Sequence, residues 1–220
     1  MTTTLSEAES KALLSRYGVK FPPEALVVSP AEAIAFAQEF AAPMALKLCG
    51  SNIAHKSERG LVHLGVVGPE AISRSCQELL EAARDEDNAT GVLVAPMATG
   101  LREFIAGISV DPVFGPTVVF GLGGVLAEAI ADVTVRLAPL RRHDAIDMLQ
   151  SLRSQSLFGP FRGEPAVDIN ALADLLCALS IAASEINGLV SIDLNPVMVV
   201  EGVPIALDAL VEVSSEVAAS

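Results

Sequence analysis

Two clusters in this chain have residue types suited to phosphoryl chemistry. In the stretch "ALKLCGSNIAHKSERG", Lys47 interrupts an apolar run, and His55, Lys56, Ser57 and Arg59 follow in a polar loop. A lysine aimed into a cleft can hold phosphate oxygens. A histidine, titrating near ~6.5, presents a free ring nitrogen as a nucleophile toward a phosphoryl group. Taken alone, Lys47 also reads as a surface lysine discouraging pairing at an edge strand. The second cluster lies in the tail, where Asp193 and Asn195 stand at i and i+2, on one face of a strand. Asp208 falls in "IALDAL", read as an apolar strand where a carboxylate is costly unless paired or metal-bound. Two carboxylates and a carboxamide oxygen are hard ligands suited to Mg²⁺ shared with nucleotide phosphates. An Asn-Pro turn would also account for Asp193 and Asn195.

"FGLGG", residues 120–124, follows an apolar strand, and its glycines let backbone N–H groups approach an anion. It is neither a dinucleotide fingerprint nor a P-loop. Glu128 and Asp132 follow it, and acids beside a phosphate loop make sense with a metal present. His63 and His143 read as structural.

The elements that must position these groups are legible from periodicity and punctuation. Helices are expected over 5–18, with Ser6 as N-cap and Gly18 as stop, and over 29–43, with Ser29 before Pro30. Further helices fit 68–87, 141–154 and 167–184. Strands fit "MALKLC", "LVHLGVV", "GVLVAPM", "LREFIAGISV", "TVVFGLGG" and "VTVRLAPL", with two or three more in the tail. Strand runs interleaved with helices, without strict alternation, indicate an α+β fold with antiparallel or mixed sheets.

Bulk properties narrow the function. The 220 residues carry 14 Lys+Arg against 27 Asp+Glu, a net charge of −13, which argues against nucleic acid and anionic membranes as partners. The composition is 51% hydrophobic but only 4% aromatic, so the core is built of aliphatic residues. Cys49, Cys76 and Cys177 are far apart in apolar surroundings and read as buried free thiols of a reducing, cytoplasmic compartment. The N-terminus has no signal-peptide pattern, and no apolar run reaches the ~20 residues of a spanning helix.

The segments "ALKLCGSNIAHKSERG", "GVLVAPM", "REFIAGISVDPVFGP", "FGLGGVLAEAIADV", "RLAPL", "FRGEPAVD", "IDLNPVMV" and "ALDA" occur in the order expected of one family. From about residue 5 to 211 the chain resembles the ATP-grasp domain of nucleoside-diphosphate-forming acyl-CoA synthetases, the group of ADP-forming acetate–CoA ligase. The resemblance implies one ATP-grasp domain over 1–220, with two α+β lobes, about 20–93 and 94–220, around a nucleotide cleft. The helix over 5–18 would pack on the larger lobe. It implies ATP/ADP and Mg²⁺ as cofactors. Lys47 would contact nucleotide phosphates and His55 would accept a phosphoryl group. Val94, Ala95 and Met97 would form the adenine hinge, with Glu103 just beyond. Gly123, Gly124, Glu128 and Arg136 would line the nucleotide site, with Arg162 as a further phosphate contact. Asp193, Asn195 and Asp208 would hold the metal. The chain departs from the family pattern at Leu61, Ala95 and Leu210, where Gly, Gln and Arg are usual. It holds no CoA-binding half, so it reads as a β-type subunit or a domain of a longer protein. Acyl-CoA synthesis would then need a CoA-binding partner, in a hetero-oligomer. The alternatives are a nucleotide-sensing regulatory module and a non-catalytic scaffold subunit.

Overall fold

The computed structural model describes residues 2–53, 56–124 and 127–214, without the side chains of Ala127 and Glu128. Its contacts divide the chain into two units. One holds residues up to Thr4, Ser10–Phe21 and everything from Thr99 on; the other holds Leu5–Glu9 and Pro22–Ala98.

The smaller unit is a four-stranded antiparallel sheet in the order β2 (Ala25–Val27), β5 (Ala89–Pro96), β3 (Met44–Gly50), β4 (Val62–Val66). Helices α2 (Pro30–Ala37) and α3 (Pro69–Glu81) pack against it and each other. Ser29 caps α2, accepting the Glu32 amide, and Pro30 fits the first turn, where no amide donor is required. Ile72, Cys76 and Leu79 recur at helical spacing on α3 and are buried against Leu46 and Leu48 of β3. Burying each such leucine contributes about 1.5–3 kcal/mol. That fixes which face of β3 turns inward, and places Lys47 on the opposite face.

The larger unit carries a seven-stranded antiparallel sheet. Its order is β1 (Thr2–Thr4), β11 (Leu210–Ser214), β9 (Leu189–Val200), β6 (Glu103–Asp111), β7 (Gly115–Leu122), β8 (Val133–Leu137), with β10 (Val203–Ala206) paired to β9. Gly107 of β6 has no room for a Cβ, which would meet the Ile192 carbonyl oxygen at 2.4 Å. A short helix, α4 (Ala127–Ile130), follows β7; helices α5 (Arg142–Ser151) and α6 (Ile169–Glu185) pack together, and Leu172, Leu175, Leu176 and Leu179 give α6 its buried stripe. Phe104, Phe120 and Phe158 stack at centroid distances of 5.2 and 5.4 Å.

Several expectations change. The first helix, α1, forms only over Glu7–Ser15; Ser6 and Glu9 make a reciprocal cap. Its first turn groups with the smaller unit and the remainder with the larger. The strands β1 and β2 are too short, at three residues each, to leave a periodicity in the sequence. Cys49 and Cys76 are buried, but Cys177 is only half-buried. Among the described residues, no helix is long and apolar enough to cross a membrane.

Arg102 is the largest fully buried side chain of the larger unit. It meets Glu164 at 3.2 Å and donates to the carbonyl oxygens of Leu157 (3.0 Å), Gly159 (3.0 Å) and Pro165 (2.6 Å). Substituting Arg102 by Met leaves Glu164 without its buried counter-charge. Equilibrium urea unfolding is expected to register a loss of about 3–5 kcal/mol. Arg102→Lys should recover little, because a single ammonium cannot span the fork of acceptors.

Candidate functional site

In the smaller unit the central group is Glu7, in the first turn of α1. Its side chain is 1% exposed and accepts Lys47 Nζ on Oε1 at 2.8 Å and Lys56 Nζ on Oε2 at 2.7 Å. Lys47 is therefore no edge lysine, since β3 runs between β5 and β4, and its ammonium is held by a buried carboxylate. Arg59 makes a two-pronged pair with buried Asp87, Nη1 to Oδ1 at 2.7 Å and Nη2 to Oδ2 at 2.8 Å. Asp87 also accepts the Arg84 amide at 2.9 Å, and its backbone carbonyl accepts the Asn52 amide. The polar loop is thus tied down through Asn52, Lys56 and Arg59. His55 lies outside the described residues.

The Arg59 hydrogen bond, followed by the Arg84 amide, lowers the Asp87 carboxyl from 3.8 to about 2. A depressed carboxyl stabilises the folded state fully above its unfolded value and loses that contribution as it protonates. Stability should therefore fall as pH drops from 3.8 toward about 2. Acid titration followed by circular dichroism is expected to show a shallower loss over that window in Asp87→Asn.

The hinge residues fall at the end of β5. Val94 is fully buried, flanked by Ala25 of β2 and Leu46 of β3. The β2 pairing ends at Val94, so Ala95 and Pro96 pair with β3 alone. The Met97 amide donates to Pro43 O, while its sulfur accepts the Gly65 amide at 2.8 Å.

In the larger unit, the Gly123 amide donates to Glu103 O at 2.8 Å. Gly124, at φ +78°, lies so near that a Cβ there would stand 3.5 Å from Glu103 Oε2. Glu103, Gly123 and Gly124 thus form one corner. The Glu128 side chain lies outside the described residues. Asp132 is not a ligand beside the glycines: it is buried and accepts the Arg153 and Ser154 amides at 3.0 and 2.7 Å. Burial opposes its ionised form, but those hydrogen bonds prevail and lower its carboxyl. Arg136 is exposed on β8 and bonds to Val135 O; Arg162 has φ +47° and lies over the Phe161 ring. Neither joins the acidic cluster. His63 of β4 faces Glu78 of α3 at 3.9 Å, and His143 faces Asp144, both on α5, at 3.2 Å.

The tail cluster is built on an irregularity. Phe104 pairs with Val197 and Ala106 with Leu194, so Ile105 opposes two residues, Asn195 and Pro196. This β-bulge places Asp193 and Asn195 outward between buried Ile192, Leu194 and Val197. Both are mid-strand, so the Asn-Pro turn is excluded. On the other edge of β9, β10 pairs with 197–200 and β11 with 189–193. Asp208 is not on a strand: it lies in the Leu207–Ala209 connection between β10 and β11, where Leu207 N donates to Pro196 O and Ala209 N to Asp208 Oδ1. Desolvation first, and the Asp208 charge second, raise the Asp193 carboxyl above its ordinary value.

Two carboxylates that repel each other beside an outward carboxamide are a donor set fitting Mg²⁺, which takes one or two protein carboxylates and completes its shell with water and phosphate. Among the described residues, no three His, Cys, Asp or Glu side chains converge as a closed cage. A raised carboxyl opposes folding above its own titration and ceases to do so as pH falls through it. Asp193→Asn should therefore melt higher than the wild type at neutral pH, by thermal denaturation without metal, while losing any Mg²⁺-dependent rise.

Glu7 and the Arg102–Glu164 pair left no signal in the sequence. Glu7 looks like any acid of a helix's first turn, and its partners are 40 and 49 residues away.

A family description of the ATP-grasp domain matches residues 1–213. The β subunit of ADP-forming acetate–CoA ligase II of Pyrococcus furiosus is 36% identical over 201 residues, covering 90% of this chain and 85% of that one. The dinucleotide-forming acetyl-coenzyme A synthetase 1 of Ca. Korarchaeum cryptofilum, solved with coenzyme A, Ca-AMPCP and HgCl⁺, superposes with TM-score 0.88 at 35% identity, covering 96% and 94% of the two chains. The same enzyme with coenzyme A and Mg-AMPPCP, its phosphohistidine segment pointing towards the nucleotide binding site, matches with TM-score 0.81 at 34% identity, covering 94% and 92%. The chain belongs to the ATP-grasp family and is homologous to the β subunits of ADP-forming acetate–CoA ligases.

Proposed function

We propose that this chain is the nucleotide-handling subunit of an ADP-forming acyl-CoA synthetase. It moves a phosphoryl group between a histidine and ADP or ATP, and acts with a CoA-binding subunit or domain. The outward Asp193–Asn195 pair on the β9 bulge, with Asp208 beside it, is the observation that carries this reading. Two carboxylates that oppose one another's ionisation are costly to bring together, and a bound cation relieves the cost. The kinship with ligase β subunits supports the same assignment.

The roles follow from the chemistry of each group. Asp193, Asn195 and Asp208 would hold Mg²⁺, whose charge would offset that of the phosphate oxygens. Lys47 contacts the phosphates as a point charge. Ala95 to Met97, with Val94 behind them, border the adenine. Glu103, Gly123 and Gly124 form a corner of the phosphate site, and Glu128 and Arg136 serve its margin. In the acyl-CoA-consuming direction, the partner converts acyl-CoA and phosphate to acyl phosphate and CoA, and a partner histidine takes the phosphoryl group. His55 receives it on a ring nitrogen and passes it to the terminal oxygen of ADP. Positioning and charge neutralisation supply most of the rate. Free thiols at Cys49 and Cys76 fit a cytoplasmic location.

Titration calorimetry of the purified chain with ADP and ATP tests this directly. Binding should require Mg²⁺, and Lys47→Ala and Asp208→Ala should each weaken it by roughly tenfold or more. In the ATP-consuming half-reaction, γ-labelled ATP should leave acid-labile phosphate on the wild type and none on His55→Ala. Absence of nucleotide binding would overturn the proposal in favour of a scaffold. Binding with no dependence on His55 in the labelling assay would favour a nucleotide sensor.

A further inference from the structure

Resting on that reading, we infer that Glu7 is a positioning residue for the nucleotide site, acting through Lys47. A buried carboxylate costs several kcal/mol unless cations meet it. Glu7, 1% exposed, is met by Lys47 and Lys56, one on each oxygen. The two lysines come from different places, Lys47 from the central strand β3 and Lys56 from the residue directly after His55 in the loop. One anion therefore sets the position of a strand cation and a loop cation together. An ammonium has three donors, so Lys47 can hold Glu7 and reach a phosphate oxygen at once.

The placement of Glu7 is itself fixed. Ser6 donates its amide to Glu9 Oε2 at 2.9 Å and its hydroxyl at 2.6 Å, and its Oγ accepts the Glu9 amide at 3.3 Å. This closed ring holds the first turn of α1, and Glu7 lies within it. Glu9, only two residues on, spends its carboxylate on the cap. The two acids of one helical turn thus have separate tasks, and Glu9 provides an internal control for helix stability.

A double-mutant cycle on the 220-residue chain separates positioning from mere support. Mg²⁺–ADP is titrated into wild type, Glu7→Gln, Lys47→Ala and the double variant, with thermal melts alongside. Glu7→Gln should weaken binding on the order of tenfold when Lys47 is present and hardly at all when it is absent. Glu9→Gln should lower the melting temperature and leave affinity alone. If Glu7→Gln does not fold, Lys56→Met is carried through the same cycle. Its effect on affinity should likewise vanish in the Lys47→Ala background. Additive effects, or unchanged affinity in a folded variant, overturn the inference while leaving the nucleotide assignment standing. No binding by the wild type removes both.

Discussion

Strand β6 and its flanks depend on Arg102. Its guanidinium reaches one carboxylate and three carbonyl oxygens, all from residues 157–165, and Glu164 in turn accepts the Leu101 amide at 2.8 Å. The Arg102 carbonyl accepts the Val199 amide, so the same residue also fixes β9. From that clamp β6 runs with Glu103 at its head, and β9 lies against it with the bulge. Neither the glycine corner nor the acidic pair would have a fixed address without it. The cost of burying a guanidinium is met because its donors find acceptors in the plane of the fork.

Electrostatics in the two units work by opposite means. The chain carries 13 more negative charges than positive ones, yet it gathers Lys47, Lys56 and Arg59 in the smaller unit around two buried carboxylates. There each anion is matched, and the cations are held in place. In the larger unit, Asp193 and Asp208 are crowded together and raise the cost of ionisation. One arrangement orders cations; the other brings together two acids whose mutual repulsion a cation would relieve.

Most elements were legible because apolar periodicity and punctuation agree over long segments, as at α3, α6 and β6. The failures share a cause. Taken alone, Lys47 also reads as an edge residue, because strand order is a property of the sheet, and nothing near "MALKLC" says that β4 will cover its far side. Asp208 read as a strand residue because the Leu207–Ala209 connection is as apolar as the strands it joins. Glu7 could not be paired with Lys47 from composition, since the contact joins positions 40 residues apart and exists only once the chain between them has folded. Asp132, by contrast, was legible as an acid near the glycines but not as a cap, because its partners, the Arg153 and Ser154 amides, come from beyond α5.

The bulge at Asn195–Pro196 has a consequence for how β9 tolerates change. Upstream of it, Ile192 and Leu194 face inward; downstream, Val197 and Val199 do. The strand thus changes from even to odd inward positions, and the extra residue absorbs the change. Removing one residue there would restore an uninterrupted alternation against β6, with both halves of the core still facing inward. The sheet on its own would accept the shorter strand. The alternation of the sheet does not require the added residue, so a length change at this point is one that the pattern of the strand alone would not prevent.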